Sequence, residues 1–137
     1  MDFKLELIGV PVTDVDRARD FYVKAGFVLD VDQVVSDEIR FVQLTPPGSA
    51  CSIAIGKGMT KMEPGSLDSL QMVVPDAEAA RAELLSRGIE VSEVDVMPWG
   101  SFVYFKDPDG NGWALQRLPE WSKGRGGSGD PNEGWTG

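Results

Sequence analysis

From Lys4 to Val12 apolar and polar residues alternate, which predicts a strand with Leu5, Leu7 and Gly9 on one face and Ile8, Val10 and Val12 on the other. The period then changes. Thr13 or Asp14 offers an N-cap, Asp14 and Asp16 suit the positive end of a helix, and Ala18, Phe21, Tyr22 and Ala25 recur at three- and four-residue spacing. Gly26 stops that helix. Short strands are expected near 27–33, 38–45 and 50–56, the last two separated by the Pro46-Pro47-Gly48-Ser49 turn. Residues 69–74 then read as a strand, Pro75-Asp76 opens a second helix carrying Ala80, Leu84 and Leu85, and Gly88 ends it. Strands near 89–94, 100–106 and 112–118 complete the pattern, with an Asp-Gly hairpin signal inside Asp107-Pro108-Asp109-Gly110-Asn111.

This succession is a repeat. Val12, Asp14, Ala18, Arg19 and Gly26 recur 62 positions later as Val74, Asp76, Ala80, Arg81 and Gly88. Phe41-Val42 recurs as Phe102-Val103, and Pro47 as Pro108, 61 positions later. The matches fall on a strand end, a helix cap, a helix face and a helix stop, the places where a shared fold constrains residue type. Two βαβββ modules, 4–56 and 69–118, are therefore expected, joined by a linker at 57–68. Beyond them, 119–137 is a Gly-rich tail too poor in aliphatics to fold alone, although Trp121 and Trp135 offer something to dock on the body or on a second subunit.

Composition narrows the chemistry. The chain has 137 residues, 42% of them hydrophobic and 26% charged, the balance of one soluble domain. A net charge of −9 argues against nucleic acid and anionic membranes as partners, because both demand a basic surface. No apolar run is long enough for a membrane helix and the N-terminus carries no targeting pattern, so a cytoplasmic location is expected. Cys51 is the single cysteine, and there is no histidine. Disulfides within the chain, Ser-His-Asp triads and His-containing metal sites are thereby excluded.

Two stretches carry a resemblance. Val12 to Phe27, with Asp before a helix that bears Phe21-Tyr22 and closes on Gly26-Phe27, is similar to the first strand-to-helix signature of the vicinal oxygen chelate superfamily of glyoxalases, bleomycin-resistance proteins and extradiol dioxygenases. Trp99-Gly100 followed by Phe105 to Gln116 resembles that superfamily's closing hairpin. The resemblance covers residues 4–118 and implies an α+β fold of tandem βαβββ modules, whose curled mixed sheets form a cup-shaped pocket for a small molecule, usually within a homodimer. Metal-using members carry one ligand on each of four inward strand positions. These correspond to Leu7, Ile53 (with the register open by one residue), Ser69 and Ala114, where the usual motif has Glu. None of the four suits a divalent cation, so no metal and no other cofactor is expected.

Strand parity then names the pocket wall: Leu5, Leu7 and Gly9, Cys51 and Ile53 from the first module, and Ser69, Gln71, Ala114 and Gln116 from the second, with Val73 and Gly112 on the same faces. Gln71 and Gln116 either touch ligand or bond each other or the backbone. Trp99 is read near the pocket mouth; Phe102 and Tyr104 share one face, which either lines the pocket or packs on the helix, while Trp113 should face the helix layer. Cys51 reads as a nucleophile or a small buried hydrophobe. Arg40, Arg81, Arg87 and Arg117 read as surface charges, Arg40 or Arg117 alternatively as an anchor for an anion. Two functions fit: metal-free binding of a small organic molecule, as in resistance and sequestration proteins, or a metal-free isomerase, cyclase or lyase using Asp68, Glu63 or Tyr104. A glyoxalase-type metalloenzyme ranks behind both.

Overall fold

The computed structural model describes residues 1–119; the tail from Glu120, with the expectations placed on Trp121 and Trp135, lies outside the described residues. The first module runs β1 (Leu7–Gly9), α1 (Val15–Ala25), β2 (Val28–Val34), β3 (Arg40–Thr45) and β4 (Ser52–Lys57). The second repeats the order as β5 (Leu70–Val73), α2 (Ala77–Ser86), β6 (Asp95–Met97), β7 (Gly100–Lys106) and β8 (Gly112–Arg117). Each module forms a four-stranded mixed sheet, in the orders β1-β4-β3-β2 and β5-β8-β7-β6. The first and last strands of each module pair in parallel, and the remaining pairs are antiparallel.

Local chemistry sets the helix ends. Asp14 and Asp76 occupy equivalent N-caps and accept from the backbone amides of Arg17 and Ala79, each at 3.0 Å. Gly26 closes α1 in the left-handed region at φ 110°. Two strands depart from expectation. β1 is confined to Leu7–Gly9 because its partner β4 begins only at Ser52, whose amide bonds the Glu6 carbonyl as the last rung. β6 lies at Asp95–Met97 and not at 89–94. Ile89, Val91 and Val94 instead pack on the core, while Arg81 Nε holds the Ser92 carbonyl at 2.9 Å and Ser92 Oγ accepts from the Tyr104 amide.

One hydrophobic core joins the modules. Val42, Leu44, Ile53 and Ile55 from the first sheet, and Val103, Phe105, Trp113 and Leu115 from the second, turn toward the two helices and meet Tyr22, Phe27 and Leu84. Trp113 thus lies in the helix layer, as its parity requires, stacked on Phe105 at 6.0 Å. The linker is pinned rather than loose. The Gly65 amide bonds the Pro11 carbonyl, the Leu67 amide bonds Asn111 Oδ1, and a Cβ on Gly65 would come within 2.1 Å of the Asp109 carbonyl oxygen. Because both helix-side faces are used by this core, the opposite face of each sheet looks outward. Among the described residues no helix is long and apolar enough to cross a membrane.

Candidate functional site

The outward face of the second sheet holds the candidate site, a hollow of about 840 Å³. Register defines its floor. One row runs Gln71, Ala114, Tyr104 across β5, β8 and β7, and the next runs Val73, Gln116, Phe102, Asp95. Small Ala114 between Gln71 and Tyr104 leaves space between two side chains set about 10 Å apart by two interstrand spacings. Phe102 and Tyr104 stack with centroids 6.0 Å apart and planes within 4°. Phe102 is absent from the core cluster, which places this aromatic pair on the cup side and not under the helix. Trp99 stands at the edge, 47% exposed. Ser69, Gln71, Trp99, Phe102 and Ala114 therefore share the lining of one hollow, together with Asp68 and Tyr104.

Gln116 behaves differently from its neighbours. It is 2% exposed, its Oε1 accepts from Gln71 Nε2, and its Nε2 donates to the Trp99 carbonyl at 2.8 Å. Gln116 lies on the cup-side face, and of the two expectations held for it the structure shows bonding to Gln71 and to the backbone, with the amide occupied at both ends.

The first sheet presents a second, shallower outward face. Leu7 and Gly9 lie on it, Leu7 38% exposed, and a side chain at Gly9 would meet no atom within 4 Å. Leu5 precedes β1 and is exposed. Ile53 does not belong here. At 3% exposure it sits in the core beside Leu44, because pairing of Leu7 with Ser52 puts Ser52 and Ala54, not Ile53, on the outward side of β4. Cys51 shares the parity of Ile53 and is half-buried just before β4, its thiol 3.6 Å from the Ser52 carbonyl. The polar side chains of this face are ones the sequence reading passed over. Gln43 Nε2 donates to Ser52 Oγ at 3.4 Å, Ser52 Oγ lies 2.6 Å from Thr45 Oγ1, and Thr45 donates to Asp30. The alternation Phe41, Gln43, Thr45 against Val42 and Leu44 carried that signal.

The remaining charged candidates lie elsewhere. Glu63 is exposed in the linker and does not line the hollow. Arg40 is no free surface charge: it pairs with Asp16 at 2.8 Å and Asp32 at 2.9 Å on the helix side, and this raises its pKa. Arg40, with Arg19 donating to the same carboxylate at 2.8 Å, holds the Asp32 carboxyl down to about 2. Partial burial, with Asp95 nearby, raises the Tyr104 phenol above its ordinary value. With register corrected, the four positions that the resemblance points to as metal ligands are Leu7, Ala54, Ser69 and Ala114. Three aliphatic side chains and one hydroxyl do not fit a divalent ion. Among the described residues no three Asp, Glu or Cys side chains converge as an alternative ligand set.

Comparison with known proteins agrees with this geometry. A curated relative, the uncharacterized protein YetH of Bacillus subtilis (strain 168), is 30% identical over 112 residues, covering 80% of this chain and 93% of that protein. The crystal structure of TnmS3, an antibiotic binding protein from Streptomyces sp. CB03234, superposes with a TM-score of 0.77 at 36% identity, covering 86% of this chain and 98% of that one. A glyoxalase/bleomycin resistance protein from the same organism gives a TM-score of 0.72 at 37% identity, covering 83% and 100% of the respective chains. The sequence model of the Glyoxalase/Bleomycin resistance protein/Dioxygenase superfamily matches residues 4–115, and the chain belongs to that superfamily.

Proposed function

We propose that this protein binds a small, largely aromatic organic molecule without a metal ion, in the manner of resistance and sequestration proteins. The observation that carries this reading is the outward hollow of the second sheet, where Phe102, Tyr104 and Trp99 form an aromatic wall beside a few neutral polar groups. A hollow of this size suits a drug-sized ligand. The resemblance to an antibiotic binding protein supports the same class of occupant. Metal independence rests on the donor set described above.

A homodimer completes the binding site in this reading. Leu5, Leu7, Val28 and Val31 of the first module and Val73 and Trp99 of the second leave apolar surface exposed in one copy. A twofold pair in which the first sheet of one copy faces the second sheet of the other covers both half-cups at once.

A metal-free enzyme is the second reading, favoured only by Tyr104, whose hydroxyl lies 3.4 Å from Asp95. Its raised pKa keeps the phenol protonated at neutral pH, suiting it to donate a proton rather than to remove one. The test is a fluorescence titration of purified protein with a panel of polycyclic aromatic antibiotics, before and after exhaustive chelation, followed by mass spectrometry of the recovered ligand. Saturable one-per-cup binding, unchanged by chelation, with intact ligand recovered supports the proposal. Conversion to product turns it toward the enzyme, and loss of binding on chelation overturns metal independence.

A further inference from the structure

The amide chain in the floor of the second cup has a direction, and the direction is set by chemistry. At one end stands the Trp99 backbone carbonyl, which only accepts. Gln116 must therefore turn its Nε2 toward that carbonyl, as it does at 2.8 Å. This leaves Gln116 Oε1 facing Gln71, and an oxygen there calls for a donor, so Gln71 presents its Nε2 to it. The last atom in the sequence is Gln71 Oε1. Gln71 is exposed and lines the hollow, and among the described residues its Oε1 accepts no hydrogen bond. An ordinary surface glutamine rotates its amide to suit either partner; this one is held with its acceptor outward.

The backbone is shaped for the same arrangement. Gly100, next to Trp99, has φ +142°, and a Cβ there would stand 3.0 Å from Gln116 Nε2 and 2.6 Å from the Arg117 carbonyl oxygen. The Trp99-Gly100 pair thus supplies both the terminal acceptor and the room for the amide that reads it.

We infer that Gln116 is a positioning residue that fixes Gln71 as a hydrogen-bond acceptor, and that the cup therefore selects flat aromatic ligands bearing an N–H or O–H donor on the edge that meets Gln71. The inference rests on the cup being the ligand site and adds the polarity of its recognition. A ligand offering an acceptor at that edge meets a like partner that cannot turn round without breaking the bond to Gln116, and specificity follows from the unpaired polar groups left behind.

Carbazole and dibenzofuran test this, since they share shape and ring area and differ by an N–H donor against a ring oxygen. Their dissociation constants are measured by fluorescence titration for the wild type, Gln71→Leu and Gln116→Met, with circular dichroism confirming the fold. The wild type is expected to bind carbazole about fivefold tighter, the worth of one net hydrogen bond. Gln71→Leu should bring the ratio to about one, and Gln116→Met should lower the ratio although residue 71 is untouched. A wild-type ratio of one, or a ratio that survives Gln71→Leu, overturns the inference and leaves the cup reading standing. Failure of the wild type to bind either compound removes both.

Discussion

The Tyr22 hydroxyl donates to Asp107 Oδ2 at 2.8 Å, joining the first module's helix to the second module's hairpin. It also accepts from Trp113 Nε1 at 2.9 Å, so the indole, phenol and carboxylate form one buried chain. Asp107 takes up its remaining capacity from the amides of Asp109 and Asn111 and from Asn111 Nδ2, which reaches the Pro11 carbonyl as well. The Asp-Pro-Asp-Gly-Asn sequence is thus a clamp between modules, and it holds the hairpin whose strands carry Tyr104 and Ala114.

Tyr22→Phe should leave the fold intact and lower stability by about 1–3 kcal/mol, because it strands the indole N–H away from water and takes from Asp107 Oδ2 one of its two donors, the other being Asn111 Nδ2. A urea unfolding curve with a lower midpoint and unchanged slope is the expected result. Burial and the neighbouring Asp107 push the phenol's pKa far above its usual value, so the loss should be constant between pH 6 and pH 9.

Asp32 supplies a pH-dependent contribution. Its folded pKa of about 2 lies below the unfolded value, so its contribution is present above about pH 4 and is lost as pH falls toward 2. Arg40→Met should therefore cost about 1 kcal/mol at pH 6, a value kept modest by solvent screening of a partly exposed pair. The difference between variant and wild type should shrink steadily in unfolding curves recorded from pH 4 down to pH 2.

The modules were legible in the sequence because each boundary is written in local chemistry. Asp14 and Asp76 cap, Gly26 and Gly88 stop, and the apolar period switches between 3.6 and 2. The second half of the candidate site was legible for the same reason: Gln71 and Ala114 sit mid-strand, where parity is unambiguous. The first half was less so. Ile53 follows a loop, and its face depends on the register of β4 against β1, in which Leu7 meets Ser52 and Ile8 meets Ile53, a long-range fact absent from local pattern. β6 was misplaced because Ile89, Val91 and Val94 alternate like a strand yet serve the core from an irregular segment. The direction of the Gln71–Gln116 chain was invisible too, since it depends on a backbone carbonyl, that of Trp99, in the turn between β6 and β7.

Leu7→Glu tests the dimer without touching the fold of one copy. Leu7 lies on an edge strand, outward and part-exposed, so a carboxylate there costs a single copy little. Facing a partner's apolar cup, it would be buried without a counter-charge, at a cost of several kcal/mol. Light scattering at micromolar concentration should show a dimer for the wild type and a monomer with unchanged circular dichroism for the variant. A wild type that is monomeric at every concentration removes the shared-cup arrangement.

Gly9 and Gly100 should respond oppositely to alanine. At Gly9 a methyl group meets nothing within 4 Å and the backbone is not left-handed, so Gly9→Ala should change stability by less than about 0.5 kcal/mol. At Gly100 the added Cβ meets a carbonyl oxygen at 2.6 Å and the positive φ is strained for any L side chain, a combined cost of about 1–3 kcal/mol. The displacement also presses on the Gln116 amide, so Gly100→Ala should erase the preference for carbazole over dibenzofuran along with the stability. Gly9→Ala should retain that preference, and paired urea curves and titrations on the two variants separate a general loss of folding from loss of the amide's orientation.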